Sequence, residues 1–252
     1  MLKIIHLTDL HLLGDEAKII FGINPSLAFK KIANTICKIE DVDCTIITGD
    51  IANDGEYEAY IHVNDLLAEF MKPIYWLPGN HDFHEVMSQV ATRIKIRTDK
   101  SFIVKGFKFI LLHTIMRDED DLAKNKGRGY LFDYELSYLK RELREDNFEY
   151  CIIGLHHPPI KSNTWTDDRM LVNYYEFKEI IEQYHKVKLV IYGHQHITQH
   201  AIINGINYIS SPPTSYHYDP NGEKFSLLEK GPGFGIISID DDGVVKFDEF
   251  IV

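Results

Sequence analysis

Leu77-Pro78-Gly79-Asn80-His81-Asp82 ends a hydrophobic run in a glycine turn that carries an amide, an imidazole and a carboxylate in succession. Alone it is only a turn. Four other stretches share its design: Thr8-Asp9-Leu10-His11, Thr48-Gly49-Asp50, Leu155-His156-His157-Pro158 and Tyr192-Gly193-His194-Gln195-His196. In each, an apolar run of strand character stops at side chains that ligate metals. Ligands of open α/β sheets collect beyond the carboxyl ends of the strands, where the loops converge. Five such endings at one edge therefore predict one shared site.

The stretches between these endings alternate in period. Lys3–Thr8 predicts a buried strand, and the spacing of two between Asp9 and His11 puts both side chains on one side of an extended segment. A helix follows, with Asn24 as N-cap, Pro25 at the first helical position and a stripe of Leu27, Ile32, Ile36 and Ile39. Cys44–Thr48 is a second strand, which we place between the first and third. A helix over 55–70 carries Tyr60, Val63, Leu67 and Phe70 on its apolar face, with Asp54 as the better N-cap than Asp50. Pro73–Leu77 is the third strand.

Further on, 102–104 and 107–112, bent at Gly106, predict a hairpin, and the charged stretch 117–128 a solvated surface loop, with covering of the site by its tip as the alternative. Helices are expected over 134–146 and around Phe177–Tyr184, and strands over 150–155 and 187–192. The tail reads as all β, with Asn204-Gly205 and Asp240-Asp241-Asp242-Gly243 as hairpin turns. The expected fold is α/β: a four-layer α/β/β/α sandwich of two mixed sheets flanked by helices, formed as a single domain over 1–252.

With 44% hydrophobic and 26% charged residues, the chain has the composition of a globular protein with a sizeable core. No stretch approaches the roughly eighteen consecutive apolar residues of a membrane span, and residues 1–7 lack the pattern of a signal peptide. Cys37, Cys44 and Cys151 form no disulfide framework, so a cytoplasmic location is expected. A net charge of -11 opposes binding to nucleic acid polymers and anionic membranes. A small phosphoester substrate remains compatible, because bound cations supply local positive charge. A homo-oligomer is equally compatible with this surface.

Imidazole and carboxylate donors without cysteine suit Zn, Mn or Fe. Asp9, His11, Asp50, Asn80, His194, His196 and one of His156 and His157 make seven donors, a surplus for one tetrahedral ion. Two cations about 3.5–4 Å apart account for that surplus. Asp50, the one strong donor of its motif, is the natural bridge. A hydroxide held between the metals would attack phosphorus, and His81, not needed as a ligand, would serve as acid or charge stabiliser for the leaving oxygen.

The order Asp-x-His, Gly-Asp, Gly-Asn-His-Asp, His, Gly-His-x-His resembles the calcineurin-like metallophosphoesterase superfamily from Asp9 to His196. The resemblance implies the metallophosphoesterase fold and two divalent or mixed-valence metal ions. It places Asp9, His11, Asp50 and His196 around one, and Asp50, Asn80, His156 and His194 around the other. It favours His156 over His157 as ligand and puts His81 at the family's catalytic position. Gly127-Arg128-Gly129-Tyr130-Leu131, His156-His157-Pro158-Pro159 and Ser211-Pro212-Pro213-Thr214-Ser215-Tyr216 are similar to the bacterial branch of cyclic-nucleotide phosphodiesterases and glycerophosphodiesterases. Two positions depart from it. Asn53 stands where many members carry the acidic partner of the catalytic histidine, and His113 follows Leu111-Leu112 where the branch more often shows Asp-Ser.

The resemblance implies hydrolysis of small phosphodiesters, of cyclic-nucleotide or glycerophosphodiester type. The alternatives are a phosphomonoesterase or nucleotide phosphatase using the same site, and a metal-stabilised sensor of a phosphorylated ligand without turnover. Asp82 reads as a turn-stabilising carboxylate, and His6, His62 and His185 as core or surface residues. His84 and His217 are candidates for lining the pocket. Tyr174, Tyr175, Tyr216 and Tyr218 read as packing residues, one of which could stack on a base.

Overall fold

The computed structural model describes residues 1–116 and 127–252. In chain order the elements are β1 (Leu2–Leu7), α1 (Pro25–Ile36), β2 (Cys44–Ile47), α2 (Tyr57–Leu66), β3 (Ile74–Trp76), α3 (His84–Ala91), β4 (Ser101–Val104) and β5 (Phe107–Leu111). They continue with α4 (Asp133–Leu143), β6 (Tyr150–Gly154), a 3-10 helix (Trp165–Arg169), α5 (Tyr174–Ile181), β7 (Val187–Tyr192), β8 (Gln199–Ile203) and β9 (Ile206–Ser210). The short pair β10 (His217–Tyr218) and β11 (Leu227–Leu228) precedes β12 (Gly233–Ile239) and β13 (Val245–Ile251). Of the expected loop over 117–128, residues 117–126 lie outside the described residues.

The strands form two large mixed sheets. The first has the order β13-β12-β1-β2-β3, with β1, β2 and β3 parallel, so β2 does lie between the first and third strands. The second has the order β4-β5-β6-β7-β9-β8, parallel from β5 to β9 and antiparallel at both edges. The predicted hairpins β4–β5, β8–β9 and β12–β13 are all present.

Strand alternation sends side chains to two faces, and both faces of each sheet are covered. Ile4, Ile46, Phe109, Ile152, Leu189 and Ile237 interleave between the sheets. On the outer face of the first sheet, Ile5, Ile47 and Trp76 meet Phe29 and Ile32 of α1, Tyr60 and Val63 of α2, and Met87 and Val90 of α3. On the outer face of the second, Ile153 and Val190 meet Leu139 of α4 and Phe177 of α5. The order of layers is α/β/β/α. Each fully buried aliphatic or aromatic side chain contributes about 1.5–3 kcal/mol, so the fold is held from both sides of both sheets. No helix among the described residues is long and apolar enough to cross a membrane.

Several local expectations change. Asn24 does cap α1, accepting from Leu27 N at 2.8 Å, and Pro25 stands at its start. Leu27 itself is 61% exposed, and the buried stripe runs instead through Ala28, Phe29, Ile32, Ala33 and Ile36. Asp54 does not cap α2, because the helix begins only after Glu56, without a side-chain cap; Asp54 accepts from the Asn53 amide. The Asp9–His11 segment is not extended: both residues have positive φ, 54° and 49°. Helix α3, the 3-10 helix and the β10–β11 ribbon have no counterpart in the sequence reading.

Candidate metal centre

The carboxyl ends of β1, β2 and β3 meet those of β6 and β7 at one edge, and the chain beyond each strand carries the predicted residues. Pairing continues past the strands: Asp9 N donates to Gly49 O at 3.1 Å, His11 N to Asp50 O at 2.9 Å and Gly193 N to His156 O at 3.0 Å. The second sheet's loop is tied to the first through His194 N, which donates to both Asp9 carboxylate oxygens at 3.1 and 3.0 Å. Gly49 (φ 94°) permits a close approach of the loops, since a Cβ there would lie 2.6 Å from Gly79 N and 2.7 Å from His156 Nδ1.

Five of the seven predicted donors, Asp9, His11, Asp50, His194 and His196, have positive φ. A non-glycine residue held there costs of order 1–3 kcal/mol and persists only where its surroundings over-determine it. Here the surroundings are the paired loops. Their turns aim the side chains inward at a common point, which strand alternation would not do.

The donors form two groups that share one carboxylate. Asp9, His11 and His196 place one ligand atom each within 4.8 Å of one another. His11 Nε2 lies 3.0 Å from His196 Nε2, and His196 Nε2 lies 3.5 Å from Asp9 Oδ1. On the other side, His156 Nε2 lies 3.2 Å from both Asn80 Oδ1 and His194 Nδ1. Asp50 Oδ2 stands between the groups, 3.6 Å from His11 Nε2 and 3.4 Å from His156 Nε2. All seven residues are thus brought together.

The second nitrogens define the protonation. His196 Nδ1 donates to Tyr216 O at 2.6 Å, His156 Nδ1 to Thr48 O at 2.7 Å and His11 Nδ1 to Asn53 Oδ1 at 3.2 Å. A neutral imidazole that donates from Nδ1 presents a lone pair at Nε2. Two lone pairs facing each other across 3.0 Å, as at His11 and His196, repel unless a cation separates them. Buried carboxylates at Asp9 and Asp50 add to the same demand. Burial pushes the imidazoles of His11 and His196 down to about 3. It also lowers His156, but Asp50 and Asp9 outweigh it and hold that ring up to about 9. Burial raises the Asp50 carboxyl, and His156 with His81 more than reverses this, leaving it well below the usual range. The donor set fits divalent cations of the Zn, Mn or Fe class.

His157 differs from His156. Its Nδ1 is 2.7 Å from Thr114 Oγ1, and its ring packs 4.5 Å from that of His194, so that His156, His157 and His194 also bring one ring nitrogen each within 4.8 Å of one another. His81 is half-buried beside the centre. Its amide donates to Asp50 Oδ1 at 2.9 Å and its Nδ1 to the Asn53 carbonyl at 2.8 Å. Asp50 raises its imidazole above the usual value. The partner that orients His81 is therefore the backbone of residue 53, and the Asn53 side chain serves His11. Asp82 is the turn-stabilising carboxylate: it accepts from Ile51 N, Ala52 N, Gly79 N and Tyr60 Oη at 2.8–3.1 Å. Burial and then Asp50 push it up to about 6 despite these donors.

A cavity of 520 Å³ opens on the centre, lined by His11, Asp50, Asn80, His81, His194 and His196, with Gly127, Asp168, Arg169 and Tyr218 completing the wall. Tyr216 and Tyr218 do more than pack, stacking on His196 at 4.4 and 4.5 Å. Asp168 and Arg169 escaped the sequence reading, since a five-residue 3-10 helix leaves no 3.6-residue period. His84 and His217 do not line this cavity. His84 packs on His113 at 5.2 Å in a separate hollow, and His217 is held by the Gly231 carbonyl at 2.9 Å.

Known proteins resemble this chain in sequence and in fold. The family described as "Calcineurin-like phosphoesterase" matches residues 2–198. A 3',5'-cyclic-nucleotide phosphodiesterase of Nostoc sp. is 31% identical over 96% of this chain and 89% of its own. The 3',5'-cyclic adenosine monophosphate phosphodiesterase CpdA of Haemophilus influenzae is 28% identical over 98% and 88%. Among solved structures, a dimetal phosphatase from Danio rerio shares the fold with a TM-score of 0.68 at 14% identity, over 99% of this chain and 98% of that one. A purple acid phosphatase from yellow lupin also reaches 0.68, at 15% identity over 99% and 53%. Sheet order, clustered donors and a match across most of the sequence lead to one assignment: the chain belongs to the calcineurin-like phosphoesterase family.

Proposed function

We propose that the chain hydrolyses small phosphodiesters of the 3',5'-cyclic nucleotide type at a centre of two cations, held by Asp9, His11, Asp50 and His196 on one side and by Asp50, Asn80, His156 and His194 on the other. The observation that carries this is Asp50 Oδ2, set 3.6 and 3.4 Å from the leading nitrogens of two donor groups. The substrate class rests on relatives named as cyclic-nucleotide phosphodiesterases that align over nearly the whole chain. The net charge of -11 also favours a small ester over a polyanion.

Bound there, the cations would supply Lewis-acid charge to the phosphoryl oxygens and activate water near neutral pH. The residues of the chain do the rest. Asp50 and the histidines on either side of it would hold the cations that receive the phosphoryl group, and Asn80 and His81 come from one turn. His81 donates its Nδ1 proton to the Asn53 carbonyl, which leaves Nε2 to serve the cavity. As water oxygen bonds to phosphorus and releases a proton to solvent, the ester P–O bond breaks and the proton on Nε2 passes to the leaving oxygen. The product is a phosphomonoester.

Metal-stripped protein reconstituted with Mn(II) tests this, assayed on 3',5'-cyclic AMP beside p-nitrophenyl phosphate. Turnover of the cyclic diester well above that of the monoester is expected. A preference for the monoester would move the activity to phosphatase chemistry, and inertness towards both would leave a binding protein.

A further inference from the structure

A single phosphoryl group would fill little of the cavity, whose 520 Å³ lies within the roughly 300–1,000 Å³ of sites that enclose whole small molecules. The space beyond the donors is bounded by Tyr218 and by Asp168 and Arg169 at the end of the 3-10 helix. Arg169 is the one lysine or arginine among the described lining residues. Its guanidinium lies 5.5 Å over the Trp165 ring, and the Trp165 ring meets Tyr218 at 5.3 Å. Rings thus continue from His196 through Tyr218 to Trp165, away from the centre.

This wall is built rigidly. Asp167 accepts from Ser162 N, Ser162 Oγ and Asn163 N at 2.7–3.0 Å, and Thr164 caps the turn. Trp165 Nε1 donates to Asp219 O at 2.9 Å, and Arg128 Nε donates to the Asp168 carbonyl at 2.7 Å. A short surface helix held at so many points keeps its backbone, and the Trp165 ring, in place before any ligand arrives. Planar guanidinium and aromatic faces stack on nucleobases of any sequence, and a carboxylate accepts from the N–H groups of a base edge.

We infer that Arg169, Asp168 and Tyr218, backed by Trp165, form the subsite for the nucleoside of the substrate: the guanidinium plane stacks on the base and the Asp168 carboxylate reads its N–H edge. This rests on the cyclic-nucleotide activity proposed above and assigns specificity-determining residues to it.

Competitive inhibition of bis-p-nitrophenyl phosphate cleavage by the Mn(II)-loaded full chain tests the wall, with 5'-AMP compared with ribose 5-phosphate. The two share phosphate and sugar, so their difference isolates the base. Wild type should bind AMP about tenfold more tightly, as stacking on a guanidinium predicts. In Arg169→Ala the Ki of AMP should rise about tenfold towards that of ribose 5-phosphate, whose own Ki moves less than about twofold. Asp168→Asn should narrow the same gap by less. Equal inhibition of wild type by both compounds, or parallel weakening of both in Arg169→Ala, overturns the subsite. Wild type that discriminates as expected yet leaves cyclic AMP uncleaved overturns the proposed substrate and upholds the nucleoside wall.

Discussion

Residue 53 acts through two groups at once. Its carbonyl orients His81 and its side-chain oxygen holds His11. An acidic residue at this position would leave the His81 contact unchanged, since a backbone carbonyl is indifferent to the side chain it carries. Removing a hydrogen-bond partner of a metal-ligating histidine typically costs 10–100-fold in metal affinity. Asn53→Ala should therefore weaken Mn(II) binding by about 10–100-fold while kcat at saturating metal stays within a few-fold. His81→Ala should do the reverse, keeping its metal and losing about 10²–10⁴ in kcat. Titrating Mn(II) against turnover for both variants separates the two roles. A kcat loss in Asn53→Ala that saturating metal fails to restore would assign the orientation of His81 to the side chain.

At the scale of elements, the site depends on turns rather than on the strands that lead to them. Asp82 ties the end of β2 to the end of β3 by accepting from Ile51, Ala52 and Gly79 amides and from Tyr60 of α2. Asp82→Ala leaves those buried donors without a partner. Each such orphan costs about 1–3 kcal/mol, partly relieved by water, so a loss of about 3–5 kcal/mol is expected in urea unfolding, with weakened metal retention. A loss under about 1 kcal/mol would show that the turns hold their shape without the carboxylate. Legibility at this scale followed burial. Helix α1 is buried along a full stripe and capped by Asn24, and it was readable. Helix α3 buries only Met87 and Val90 and starts without a side-chain cap, so neither period nor cap marked it.

Across the whole molecule, the two sheets meet through a largely apolar layer, and among the polar contacts that cross between them is His6. Its Nδ1 lies 2.7 Å from Ser211 Oγ and its Nε2 2.9 Å from Thr48 Oγ1, all fully buried. Burial pushes the imidazole down to about 3 from 6.5. Below pH 6.5 the unfolded chain takes up a proton that the folded chain refuses, so stability falls with pH until about pH 3. The slope is about 1.4 kcal/mol per unit for one such group. Between pH 7.5 and 5, wild type should lose about 2 kcal/mol more than His6→Gln, which keeps a polar bridge without titrating. Parallel pH profiles in urea unfolding would exclude His6 as the source.

By itself the sequence determined the donor types, the alternation of strands and helices, the hairpins and the layered α/β class. Each of these is encoded locally, as a period of 2 or 3.6, a Gly turn or a polar residue at a strand's end. Tertiary structure decided the rest: that Asp50 Oδ2 lies 3.6 Å from His11 Nε2 and 3.4 Å from His156 Nε2, that Asn53 serves two histidines, and that Arg169 and Asp168 reach the cavity. These are distances between loops from different strands. They follow from sheet order, register and the left-handed turns of the donors, which no local pattern records.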